Sequence, residues 1–72
     1  MYLHEGRKLA AIFWPDSGLS LEADSGSERA PIEMHVVHEG SMPWAHVRFR
    51  HGKEVMYNLR IVESVELLPE ED

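Results

Sequence analysis

Apolar and polar residues alternate over several short stretches of the chain, and in most of them the period is that of a β-strand. The clearest case spans 44–51, with Ala45, Val47 and Phe49 on one side and Trp44, His46, Arg48 and Arg50 on the other. Ile32, Met34 and Val36 alternate with Glu33 and His35 and predict a strand over 32–38. Leu19, Leu21 and Ala23 alternate with Ser20 and Glu22, and Val55, Tyr57 and Leu59 share one side of 54–59. Residues 7–14 are apolar on both sides, with Leu9, Ala11 and Phe13 on one and Ala10, Ile12 and Trp14 on the other. That pattern suits a central strand, although a short buried helix has the same signature.

Turn chemistry separates these stretches. Pro15-Asp16-Ser17-Gly18 combines a fixed φ with a residue that tolerates positive φ, and His51-Gly52-Lys53 marks a tight hairpin. Glu39-Gly40-Ser41-Met42-Pro43 reads as another connection, and the polar stretch 24–31 as a flexible loop. Residues 60–68 fit either period; a turn over 60–64 and a closing strand over 65–68 is the preferred reading. Pro69 ends that element, and 69–72 forms an acidic tail. Five or six short strands within 1–68 predict a single mainly β domain, folded as a small antiparallel barrel or a strongly bent sheet. The alternative is an α+β arrangement, an antiparallel sheet with one short helix.

The run Val47-Arg48-Phe49-Arg50-His51-Gly52-Lys53-Glu54, then Leu59, then Val65-Glu66-Leu67-Leu68-Pro69, resembles the end of SH3-like and Tudor-like barrels. In those folds a tight hairpin is followed by a short turn and a final strand. The resemblance covers 44–69, and the first half of the chain lacks the opening strand of that family. It implies a binding module rather than an enzyme, and it carries over no individual functional residue.

Length and composition narrow the field. At 72 residues, one domain is the natural count, and dinucleotide-binding folds and large barrels are excluded by size. The longest apolar run, 9–14, falls far short of the roughly 20 residues of a membrane helix. No basic-then-apolar leader opens the chain, and no cysteine is present to staple a small secreted domain. These points lead to the expectation of a cytoplasmic protein that does not engage a membrane.

The net charge of −6 is unevenly distributed. Asp16, Glu22, Asp24, Glu28, Glu33 and Glu39 face only Arg29 between 15 and 43. Arg48, Arg50, Lys53 and Arg60 then outnumber Glu54, and the end of the chain is again acidic. An acidic protein is repelled from phosphate backbones at long range, which disfavours general nucleic-acid binding.

Several constellations invite chemistry. His35, His38, His46 and His51 approach one another if 32–38 and 44–51 pair, but spacings of three and five send each strand's two imidazoles to opposite faces. Solvated histidines are therefore expected and no metal site. The outward row Trp44, His46, Arg48 and Arg50, with Lys53 nearby, has the cation-plus-aromatic make-up that holds phosphate and stacks bases. The plainer expectation is a solvated face paired across to Glu33 and Glu54. Trp14, Trp44, Tyr57, Phe13 and Phe49 could cage a methylated cation, but a chain with six aromatics needs most of them as core. No nucleophile elbow surrounds Ser17, Ser41 or Ser64, and no glycine-rich phosphate loop is present. The sequence thus points to a non-catalytic interaction protein without a cofactor. It would dock on a larger protein, for instance one that itself binds nucleic acid. The contact would run through the strand face Trp44, His46, Arg48 and Arg50, with Lys53 beside it, or through the acidic loop 22–33 and the acidic tail, with Glu63 and Glu66 adding to the carboxylate row. A nucleic-acid module using 46–53 and a metal- or ligand-binding protein are the alternatives, and pairing into a homodimer through 32–38 is a further expectation.

Overall fold

The computed structural model describes residues 3–26 and 28–69. Six strands follow one another: β1 (Leu9–Phe13), β2 (Ser20–Glu22), β3 (Pro31–Glu39), β4 (Met42–Phe49), β5 (Glu54–Asn58) and β6 (Ser64–Leu67). They form two antiparallel three-stranded sheets, ordered β2-β1-β6 and β3-β4-β5. The fold is mainly β, as the alternation predicts, and β1 is indeed a central strand. A single 3₁₀ turn, Arg50–Gly52, is the only helical element among the described residues. The stretch after Leu59 turns and then closes as β6. Of the acidic tail, Glu70, Glu71 and Asp72 lie outside the described residues.

The barrel expected from the SH3-like resemblance is not closed. The two sheets are joined where the chain entering β1 runs beside β3: the Gly6 N–H donates to the Val36 carbonyl at 2.8 Å, and the Val36 N–H to the Arg7 carbonyl at 2.8 Å. Lys8 and His35 form an isolated bridge there. Away from that join, β2 and β6 end one sheet and β5 ends the other, and neither β2 nor β6 pairs with β5. β2 is only three residues long, cut off by the 15–18 turn and the 23–30 connection, so it offers β5 little edge to zip onto.

The core is Leu9, Ile12, Met34, Val36, Ala45 and Val47, covered by Trp14, Leu21, Phe49, Tyr57 and Val65 among others. Two bulges decide which residues reach it. Leu9 and Ile12 are three apart and would face opposite sides of a regular strand. The register against β6 slips between Leu9 and Ala11, and both side chains end fully buried. A second slip between Pro31 and Glu33 turns Pro31 inward and leaves Ile32 42% exposed. The even alternation expected for 7–14 and for Ile32, Met34 and Val36 is therefore corrected at Leu9 and at Ile32.

Turns set the remaining registers. Gly40 and Ser41 alone connect β3 to β4, so Met42 and Pro43, expected in the loop, lie in the strand. Gly40 has φ +65° in the first central position, the type II′ requirement of a two-residue hairpin. Pro43 is tolerated in a central strand because it faces Leu59, one residue past the end of β5. Its carbonyl still accepts from the Leu59 N–H at 3.1 Å, and its missing donor falls where the partner strand has ended.

A self-compensated face on the outer sheet

The register of β3, β4 and β5 arranges the solvent face of that sheet in three rows. Val37, Trp44 and Asn58 form one, His35, His46 and Met56 the next, and Glu33, Arg48 and Glu54 the third. Alternation places these residues outward because Met34, Val36, Ala45 and Val47 point into the core. Trp44, Val37 and Met56 do not pack against the core cluster, unlike Trp14 and Tyr57. They leave an apolar and aromatic strip on the sheet surface.

The charges around that strip are paired with one another. The Arg48 guanidinium donates to Glu33 Oε2 at 2.8 Å, and His46 Nε2 lies 2.8 Å from Glu54 Oε1. His35 Nδ1 is 3.8 Å from Glu33 Oε1. The His35 and His46 rings, directly opposite across β3 and β4, meet edge to face with centroids 4.9 Å apart. Spacing alone sets His35 against His38, but the register brings His35 and His46 together and leaves His38 elsewhere. No group of three or more His, Asp or Glu among the described residues is arranged to hold a metal ion.

The candidate residues therefore divide among three places. Trp44, His46 and Arg48 stand on the face. Arg50 and Lys53 sit at the β4–β5 hairpin, where Lys53 Nζ lies 5.7 Å from the Phe49 ring centroid. That hairpin turns through His51 at φ +73° and Gly52 at φ +84°. Glu63 and Glu66 belong to the other sheet, Glu66 opposite Ala11 on β1, and do not join the Trp44 face. Val37 and Met56 complete the face although each falls off the apolar side of its own strand's alternation, which is the signal that marks them in the sequence.

Two concavities lie elsewhere. One, of about 320 Å³, is lined by Trp14, Ser17, Leu19, Ser20, Leu21 and Tyr57. There Trp14 and Tyr57 meet edge to face at 5.3 Å. The other, of about 600 Å³, is bordered by Leu3, Glu5, His38, Gly40, Ser41, Pro43 and Leu59. Glu5 Oε1 accepts from the His38 N–H at 2.6 Å and lies 3.1 Å from its Nδ1, so this carboxylate ties the chain's start to the outer edge of β3. Val36 is bonded to Gly6 and Arg7, so that edge of 32–38 is taken up within the chain at Val36 and His38. Ser41 borders the second hollow from a two-residue β-turn, not from the strand-to-helix elbow that exposes a hydrolase serine.

No helix among the described residues is long and apolar enough to cross a membrane. Comparison with protein-family models, with curated proteins and with solved structures finds no match for this chain.

Proposed function

We propose that the protein is a non-catalytic docking module of the cytoplasm that binds a larger protein through the outer face of the β3-β4-β5 sheet. The observation that carries this reading is Trp44. It stands on the middle strand of its sheet, outside the core, flanked by Val37 and Met56 and bordered by charges that already satisfy one another. An aromatic centre with a paired polar rim is the composition of a protein–protein contact. The Arg48–Glu33 ion pair and the His46–Glu54 contact need no outside partner, so docking there leaves Arg48 compensated.

The same geometry weakens the nucleic-acid alternative. Of the cations in 46–53, Arg48 is engaged by Glu33 at 2.8 Å, and Arg50 and Lys53 stand off the Trp44 face at the hairpin, within a chain of net charge −6.

The test places a photo-crosslinking amino acid at position 44 and, as a control, at position 61, where Ile61 is 66% exposed on a turn. Irradiation in the source cell extract should give a discrete protein adduct from position 44 and none from position 61. Equal adducts from both positions, or none, would overturn the reading. An amide-resolved titration with a mixed RNA and DNA pool supplies the second arm. Shifts confined to 44–54 and reversed by salt would replace the protein partner by nucleic acid.

A further inference from the structure

On the unclosed side of the fold, β2 and Tyr57 of β5 wall a seam that the two sheets leave open. Hydrogen bonds fix which main-chain groups beside it face away from their own sheets. The Trp14 N–H donates to the Leu19 carbonyl at 3.0 Å, and the Ala23 N–H to the Ala10 carbonyl at 2.9 Å. Residues 19, 21 and 23 therefore turn their main chain towards β1, and Ser20 and Glu22 turn theirs away from it, up to Asp24, whose N–H donates to the Pro31 carbonyl at 2.8 Å. On β5 the Phe49 N–H donates to the Lys53 carbonyl at 2.8 Å, and the Leu59 N–H to the Pro43 carbonyl at 3.1 Å. Residues 53, 55, 57 and 59 thus face β4, and Glu54 and Met56 present their amides and carbonyls to the opposite side.

The side chains along this seam alternate in kind as well as direction. Leu19, Leu21 and Tyr57 line the 320 Å³ cavity with Trp14, and Leu19 is 65% exposed. Glu22 on β2 and Glu54 on β5 belong to the outward-facing sets. Asp16 and Asp24 flank β2 at its two ends, and no lysine or arginine lines the cavity. A strand laid along this edge would thus meet apolar surface with its inward side chains and carboxylates with its outward ones.

We infer that the seam between β2 and Tyr57 of β5 accepts an extended cationic peptide by strand addition. Its main chain bonds to Ser20 and Glu22, its alternate apolar side chains enter the Trp14–Tyr57 cavity, and its intervening lysines or arginines meet Glu22 and its acidic neighbours. Strand addition takes affinity from main-chain hydrogen bonds and selectivity from the pockets under every second side chain. Charge selects the occupant. A second copy of this chain would bring a net charge of −6 against the same carboxylates, and the chain's own acidic end is repelled by them as well.

A capped six-residue peptide alternating lysine and valine is the probe, titrated into the full chain and followed by amide shifts and by hydrogen exchange. The expected result is saturable binding, with shifts at Ser20, Leu21, Glu22 and Tyr57 and slowed exchange of the Ser20 and Glu22 amides. A glutamate–valine peptide should not bind. The lysine–valine peptide methylated at alternate backbone nitrogens should bind at least tenfold more weakly. Leu19→Asp and Glu22→Lys alter exposed side chains, leave the fold in place by circular dichroism, and should each reduce affinity severalfold. Equal binding of the methylated peptide would reduce the contact to charge attraction and overturn strand addition. Absence of saturable binding, or indifference to both substitutions, would overturn the site. Shifts centred on Val37, Trp44 and His46 would move the peptide to the outer face, refuting the seam while supporting the docking surface proposed above.

Discussion

Two isoleucines provide a sharp test of the bulged registers. A regular strand over 32–38 would bury Ile32 with Met34 and Val36, and Ile12 would share its side of β1 with Ala10 and Trp14. In the structure Ile12 is fully buried with Leu9, and Ile32 is 42% exposed at the slip between Pro31 and Glu33. Ile12→Ala removes three carbons from a site with no solvent access, a transfer loss of about 2.5 kcal/mol at roughly 0.8 kcal/mol per buried methylene. The hole left among Leu9, Met34 and Val47 raises the cost to about 3–4 kcal/mol. Ile32→Ala loses about 1 kcal/mol or less, because water fills the vacated space. A core in a domain this small supplies roughly 3–5 kcal/mol altogether. The I12A variant should therefore be largely unfolded at physiological temperature, whereas I32A should melt within about 8 °C of the parent. Urea titrations read by far-ultraviolet circular dichroism measure both. The milder pair, Ile12→Val and Ile32→Val, keeps the comparison measurable if I12A fails to fold, with about 1 kcal/mol expected for the first and close to none for the second. Equal urea midpoints, or a larger loss at Ile32, would show that the core is registered differently.

Three further outcomes are expected. Trp44→Ala should cost under about 1 kcal/mol while Trp14→Ala costs about 3, since only Trp14 covers the core, and the pair can be compared by thermal melting. Gly52→Ala should lose about 1–2 kcal/mol through backbone strain alone, because its φ of +84° is a left-handed one and an added Cβ meets no atom within 4 Å; its urea midpoint reports this directly. A double-mutant cycle on Arg48 and Glu33 should return a coupling of about 0.2–1 kcal/mol that shrinks as salt is raised, because both side chains are more than a third exposed.

The strands and their turns were legible because alternation and turn residues are local properties. Ala45 and Val47 sit inward and Trp44, His46 and Arg48 outward as their spacing requires, and the rim partners Glu33 and Glu54 lie on the neighbouring strands. What alternation could not carry is the extra residue of a bulge. Leu9 and Ile12 look discordant in one dimension and become neighbours only once β1 slips against β6. Closure was likewise illegible: whether β2 meets β5 depends on the length of β2, and a three-residue strand between two turns is hard to distinguish from a loop. The cavity walled by Trp14, Leu19, Leu21 and Tyr57 escaped for the same reason. Its walls come from a hairpin and a strand more than thirty residues apart, and no motif joins them. The single strand bearing Trp44, His46 and Arg48 is contiguous, which is why that part of the face could be named in advance.

The two sheets also differ in how far the chain must reach to build them. β3, β4 and β5 follow one another through a two-residue turn and a short hairpin, so every pairing in that sheet joins residues near in sequence. The other sheet needs Leu9 opposite Leu67, which closes a loop of nearly the whole chain. Loop closure must precede any gain from such a contact, so nucleation belongs to the meander and the docking of β6 onto β1 comes late. The same order in reverse governs opening of the long-range contact, with the β1–β6 pairing released before the β3–β4 hairpin. Time thus enters the molecule asymmetrically: the sheet bearing Trp44 is assembled early and outlasts the strand that completes the fold.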